Sequence, residues 1–212
     1  CSCGQTMSLC KYWSQLIPAI QNQRGQTSKQ KYTTLYEQAV AVEGKHMFVD
    51  SSKNIRTLLT LQHLHQQGKI ELQTLFLVRD VRSWVLSRKR LASMTDTHRP
   101  VWWSMLVWYR DNKKITQALK KHAISHMNVS YDLMMQDVEG YLQKILEYVG
   151  AAKQTAILKQ IPNTHIAFGN RMKKYGQGLK LRYDDSWKQS KKNSIYYNLL
   201  FFVKKCNQEI QK

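Results

Sequence analysis

Apolar residues recur along this chain with two periods, and each period predicts a different element. Leu9, Trp13, Leu16, Ile17 and Ile20 recur at i, i+3 and i+4, which predicts a helix over 8–22 that Pro18 should kink or end. Residues 21–30 are polar and predict a loop. A second helix over 31–42 stops at Gly44. HMFV, at 46–49, is a short apolar run and predicts a buried strand. A helix over 54–65 follows, with Ile55, Leu58 and Leu59 on one face and Gly68 as its stop. The next strand is predicted at 75–78 and its following helix at 81–92. Pro100 suits the first turn of a long helix over 100–122, whose Val101, Trp102, Met105, Leu106 and Trp108 read as core. A third strand is predicted at 126–130, a helix at 138–149 ended by Gly150, and one more helix at 151–160. Residues 163–183 hold Gly169, Gly176 and Gly178 with little periodicity, and read as a long basic loop. A final helix is predicted over 187–210. Strands alternating with helices at this spacing predict a parallel sheet with crossover helices, an α/β domain.

Composition narrows the function classes. A chain of 212 residues with 42% hydrophobic content and six tryptophans can build one packed domain. No apolar run reaches the ~18 residues that a membrane-spanning helix requires. The net charge of +19 favours anionic partners such as nucleotides, acidic glycans, nucleic acid or acidic membranes. Cys1, Cys3 and Cys10 cluster as C-x-C-x6-C, which is compatible with free thiols, a metal site or a disulfide.

Candidate chemistry concentrates in FVDSSK, at 48–53, and TLFLVRDVRSWVLSR, at 74–88. Each is an apolar run opening onto polar residues at the start of a predicted helix, where α/β sheets bind anions. Arg79 closes the second run, and Ser87 lies about two helical turns further on. Such a cation and hydroxyl can both reach one phosphate. The competing reading for Arg79 is an ion pair with Asp80 or Asp50. Arg82 reads as a surface or supporting residue. Asp50 can act as a base for a hydroxyl or cap the following helix. Lys53 stands in a helical first turn, where the dipole disfavours a cation.

These two blocks, in order with VSYDLM at 129–134 and HIAFGNRMK at 165–173, resemble the sulfotransferases that use 3′-phosphoadenosine-5′-phosphosulfate (PAPS), in particular the bacterial and protein-tyrosine branches. The resemblance covers most of the chain. It implies a three-layer, P-loop-like parallel sheet flanked by helices, a single domain over 1–212, and transfer of a sulfuryl group to a hydroxyl of a glycan, lipid, peptide or small molecule. It further implies that Arg79 and Ser87 grip the 3′-phosphate, that Lys53 stabilises the transferring group, and that Gly169, Asn170, Arg171 and Lys173 form a later donor loop. Arg171 stands where the family often has proline. No metal is expected, because a sulfuryl group carries less charge than a phosphoryl group and no carboxylate cage is evident. The family's N-terminal strand, Gly/Ser/Thr loop and helix, which cradle the 5′-phosphosulfate, have no counterpart here. The expectation is therefore a chain that begins downstream of that loop and binds donor poorly by itself. The segment CSCG resembles bacterial members and points to cytoplasm; the basicity suits a secretory lumen as well. The alternative function is a non-enzymatic basic module for nucleic acid or other polyanions, although no specific nucleic-acid signature is present.

Overall fold

The computed structural model describes residues 3–21, 25, 27–43, 47, 49–51, 54–92, 99–151, 183 and 185–211. It is an α/β protein, mostly helical, with a small parallel sheet. The chain forms two compact units, Cys1–Leu72 with Gln154–Lys180, and Gln73–Lys153 with Leu181–Lys212.

The first unit is helical in its described part: α1 (Trp13–Gln21), α2 (Ser28–Glu43) and α3 (Ile55–Gln66). Pro18 does not end α1, which runs through it. Helix α2 packs on both α1 and α3 over Cys10, Leu16, Ala39, Leu61 and Leu64, all buried. The hydroxyls of Tyr32 and Thr57 meet at 2.8 Å and tie α2 to α3. Asn54 caps α3 by accepting the Arg56 N–H, and Gly68 ends it with φ +68°, in the left-handed region glycine favours. The strand predicted at 46–49 is not seen at its described positions. Met47 and Val49 are exposed and belong to no strand, while His46 and Phe48 lie outside the described residues. An apolar run becomes a strand only where a neighbouring strand takes its backbone hydrogen bonds, and among the described residues Met47 and Val49 pair with no strand.

The second unit holds the sheet. Strands β1 (Thr74–Val78) and β2 (His126–Ser130) run parallel, with Thr74 opposite His126 and Val78 opposite Ser130. The crossover between them consists of α4 (Val81–Ala92) and α5 (Val101–Lys121). After β2 come α6 (Tyr131–Met134) and α7 (Val138–Tyr148), and then a 3₁₀ turn at Ser186–Gln189, α8 (Lys191–Leu199) and α9 (Phe201–Ile210). Helix α5 packs against α4, α8 and α9. Phe76, Val78, Val81, Val85, Met105, Trp108, Leu119 and Val203 are buried there. Trp102, expected in the core, is 41% exposed, and its neighbour Trp103 is 44% exposed. The stripe buried by α5 is Val101, Met105 and Trp108, and the helical turn carries the next two positions off that face. The helix predicted over 187–210 is broken at Leu200 (ψ 67°) into α8 and α9. On β1, Phe76 and Val78 point inward, whereas the alternating Leu75 and Leu77 are 40% and 56% exposed. Among the described residues no helix is long and apolar enough to cross a membrane.

Helix α5 ends without a glycine. Ala123 adopts φ +47° while the Ile124 N–H closes onto the Leu119 carbonyl at 2.9 Å. This left-handed cap penalises a side chain. Ala123→Gly is expected to raise stability by about 0.5–1 kcal/mol, measured as a higher urea midpoint with an unchanged slope.

Candidate functional site

The site grows from the C-terminal edge of the β1–β2 pair. Because Val78 lies opposite Ser130, the residues that follow them, Arg79 and Tyr131, emerge side by side. The Arg79 guanidinium sits over the Tyr131 ring, 5.0 Å from its centroid. Its Nε donates to Ser83 Oγ at 2.6 Å, and its carbonyl accepts from the Trp108 indole N–H at 3.1 Å. Backbone and side chain of Arg79 are thus both held, and among the described residues no carboxylate pairs with it. Ser87 lies one turn beyond Ser83 on the same face of α4 and is exposed. Arg79, Ser83 and Ser87 therefore form a line of one cation and two hydroxyls, starting at the strand end and running along the helix.

The ion pair considered for Arg79 is made by its neighbour instead. Asp80, buried at the strand–helix junction, accepts from Arg82 N–H (2.8 Å), Nε (3.0 Å) and Nη2 (2.8 Å), and from Asn207 Nδ2 (3.0 Å). The Arg82 guanidinium lies between the rings of Trp187, at 4.0 Å, and Tyr197, at 4.3 Å. Arg82 is thus an internal tie rather than a surface residue. Asn207 also accepts the Val81 N–H at 2.9 Å, and Asn193 donates to the Arg82 carbonyl at 3.4 Å. Asp132, in α6, accepts the Asp80 N–H at 2.6 Å. The backbone N–H groups of Asp80, Val81 and Arg82 are consequently all taken by the protein's own side chains. The start of α4 is closed as an anion cradle, and an incoming anion must be held by the side chains along the helix.

Burial alone would raise the Asp80 pKa. Hydrogen bonds and charge from Arg82, helped by Asn207, outweigh it and hold the carboxyl below its usual range. Burial disfavours the Arg82 charge, but the hydrogen bonds and charge of Asp80 outweigh it and leave the guanidinium more firmly protonated than usual. Asp132 goes the other way. Burial pushes its pKa up and the Asp80 charge adds to this, against the Asp80 N–H and the Arg79 charge.

Of the other expected site residues, Asp50 belongs to the first unit, where it accepts a hydrogen bond from Tyr36 Oη at 3.2 Å. Burial and the Asp50 charge push the Tyr36 phenol far above its ordinary range. Lys53, Gly169, Asn170, Arg171 and Lys173 lie outside the described residues. Ser83 and Tyr131 were not expected at the site from the sequence, and Trp108 was expected only as core. Ser83 had a usable signal, four residues after Arg79 on a predicted helix. Tyr131 could be inferred only from the strand register.

The chain matches no protein-family model, no curated protein and no solved structure.

Asp80→Ala is expected to lower stability by about 3–5 kcal/mol at neutral pH, since it strands a half-buried guanidinium and frees the Arg82 backbone N–H and the Asn207 amide. A depressed carboxyl pKa gives stability that is fully present above the unfolded value of ~3.9 and is lost as pH falls through the folded one. The gap between parent and variant in urea melts should therefore be widest near pH 7 and shrink below about pH 4.

Proposed function

We propose that this chain is a PAPS-dependent sulfotransferase, with Arg79 as the clamp for the donor's 3′-phosphate. The observation that carries the reading is Arg79 itself. It is a guanidinium fixed at the C-terminal edge of parallel strands and in no ion pair among the described residues, with Ser83 and Ser87 beside it on α4. Its remaining N–H groups can meet two phosphate oxygens, and the exposed Ser87 hydroxyl can add a neutral bond, while the buried Ser83 holds the guanidinium in place. Parallel strands joined through crossover helices suit the three-layer, P-loop-like sheet of this family. The exposed Leu75 and Leu77 are the kind of face that a further layer covers, since parallel sheets are ordinarily buried on both sides.

In this reading sulfur passes in line from the donor's phosphate oxygen to the acceptor hydroxyl. The S–O bond to the phosphate breaks as the S–O bond to the acceptor forms, and the acceptor's proton goes to a base. Lys53 is assigned to the charge building on the leaving oxygen, Asp50 to the base, and Gly169, Asn170, Arg171 and Lys173 to the nucleotide. The Tyr36 hydroxyl on Asp50 would orient that carboxylate.

The second reading is a polyanion-binding module, favoured by the charge of +19 and by the exposure of Trp102 and Trp103. Calorimetric titration with 3′-phosphoadenosine-5′-phosphate, alongside adenosine 5′-phosphate, separates the two. A clamp predicts saturable binding that requires the 3′-phosphate, weakened by about 1.5–3 kcal/mol in Arg79→Ala and only partly restored in Arg79→Lys. Equal affinity in parent and Arg79→Ala, with a steep salt dependence shared by any polyanion, would sink the clamp in favour of the second reading.

A further inference from the structure

Helices α5 and α9 enclose an open groove of about 280 Å³ lined by Trp103, Leu106, Val107, Tyr109, Arg110 and Phe202. Its lining is mostly apolar, and it does not stand alone. Trp102 packs edge-on against Trp103 with ring centroids 5.6 Å apart. Across the groove, Phe202 contacts Tyr109 at 5.1 Å and Phe201 at 5.7 Å. The result is a continuous aromatic ridge and trough, from Trp102 to Phe201, on one side of the second unit. Phe201 is 74% exposed, and Leu199, just before the α8–α9 break, is 69% exposed. Apolar surface of this extent on a charged protein marks a place where something docks.

The rim tells what kind of partner fits. Arg110 lines the groove, and Lys113 donates to the Tyr109 hydroxyl at 3.0 Å and lies over its ring. Lysines continue along α5, α8 and α9, against Asp111 and Glu209 as the acidic residues of those helices. The Arg110–Asp111 pair is exposed on both sides and neutralises little. A second copy of the chain is disfavoured, because two bodies of charge +19 repel while their grooves approach. A nucleic-acid strand wants flat ring faces. Here the Trp102–Trp103 and Phe201–Phe202 pairs stand at 88° and 87°, and the trough between them has an aliphatic floor. An anionic lipid surface meets both demands: acyl chains for the trough and phosphates for the rim.

We propose that the α5–α9 face docks on an anionic bilayer, with Trp102, Trp103 and Phe201 entering the boundary between headgroups and chains while Arg110 and Lys113 sit in the phosphate layer. This does not depend on the nucleotide reading.

The test is vesicle co-sedimentation of the whole chain. Vesicles of phosphatidylcholine alone are compared with vesicles in which roughly one third is phosphatidylglycerol, the anionic arm that the basic rim requires. The parent should bind the anionic vesicles and leave the neutral ones. A Trp102→Ser/Phe201→Ser variant keeps every charge. It should partition at least about tenfold less, as befits removing two burying rings, and tryptophan quenching by brominated lipid should fall with it. Both positions are exposed, and Phe201→Ser alone serves if the double variant loses its helical circular dichroism. Arg110→Gln/Lys113→Gln should weaken binding to anionic vesicles only. Unchanged partitioning of the aromatic variant would overturn the proposal by showing that diffuse charge alone attracts lipid. So would absent binding, a parent that self-associates in sedimentation velocity while the aromatic variant does not, or binding of an oligonucleotide or an acidic protein that the aromatic variant loses while lipid binding persists.

Discussion

A single buried carboxylate organises the second unit. Asp80 sits where β1 turns into α4, and a charge in that position is tolerable only if neighbouring donors replace the water it has lost. The donors come from its own helix through Arg82 and from α9 through Asn207. The ring faces that seat Arg82 come from the 3₁₀ turn and α8. Elements far apart in sequence are thus bound to one point. The break at Leu200 lets them converge, because the α9 residue Asn207 donates to both Asp80 and the Tyr197 hydroxyl of α8. A continuous helix over the same residues would carry positions 197 and 207 about 15 Å apart along its axis.

The same constraint divides labour between two arginines. Arg82 is committed to Asp80, whereas Arg79 is in no ion pair among the described residues, its charge acting on Asp132 from beyond ion-pair distance. The N–H groups of Asp80, Val81 and Arg82, where β1 turns into α4, go to Asp132, Asn207 and Asp80. An anion at this edge would meet a cation and hydroxyls rather than a helix terminus. That favours a ligand approaching from the side of α4, in line with Ser83 and Ser87. Asp80 and Asp132 are joined through one backbone N–H, and their pKa values move in opposite directions. Asp80 is down because it is paired; Asp132 is up because burial and its neighbour's charge act together.

Elements set by local pattern were legible in the sequence. The apolar runs of β1 and β2, the periodicity of α4 and α5 and the stop at Gly150 all stand where they were expected. What failed depended on partners distant in the chain. Trp102 and Trp103 fit an apolar pattern on α5, but which stripe becomes core is decided by α4, α8 and α9. No glycine or proline announces the break at Leu200. Met47 and Val49 belong to an apolar run without a described strand to pair with it. The roles of Asn207 and Tyr197 had no local signal at all, since an asparagine or tyrosine on a helix looks alike whether it faces water or a buried carboxylate. Of the candidate site, the positions of Arg79 and Ser87 on a strand end and its helix could be read directly; the hydrogen bond to Ser83 and the ring of Tyr131 needed the fold.

The excess of 33 basic over 14 acidic side chains poses a wider problem, because most cations have no carboxylate to meet. Aromatic rings take that place. Arg79 lies over Tyr131, Arg88 over Trp84, Lys113 over Tyr109 and Lys144 over Tyr141. A ring face attracts a cation through its quadrupole and so fixes it in place without cancelling its charge. A carboxylate does both, as at Asp80, and removes the cation from use. A chain that orders its cations on rings keeps its field intact, and at physiological salt that field reaches only about 8 Å beyond the surface. Anions drawn into that layer are sorted by what lies beneath it. At Arg79 this is a guanidinium fixed by the buried Ser83 with the exposed Ser87 hydroxyl in line; at Arg110 and Lys113 it is a bed of rings and aliphatic side chains. The same basicity can thus serve a compact phosphate at one face and an extended amphipathic surface at another, and the discrimination rests on the neutral residues around each cation.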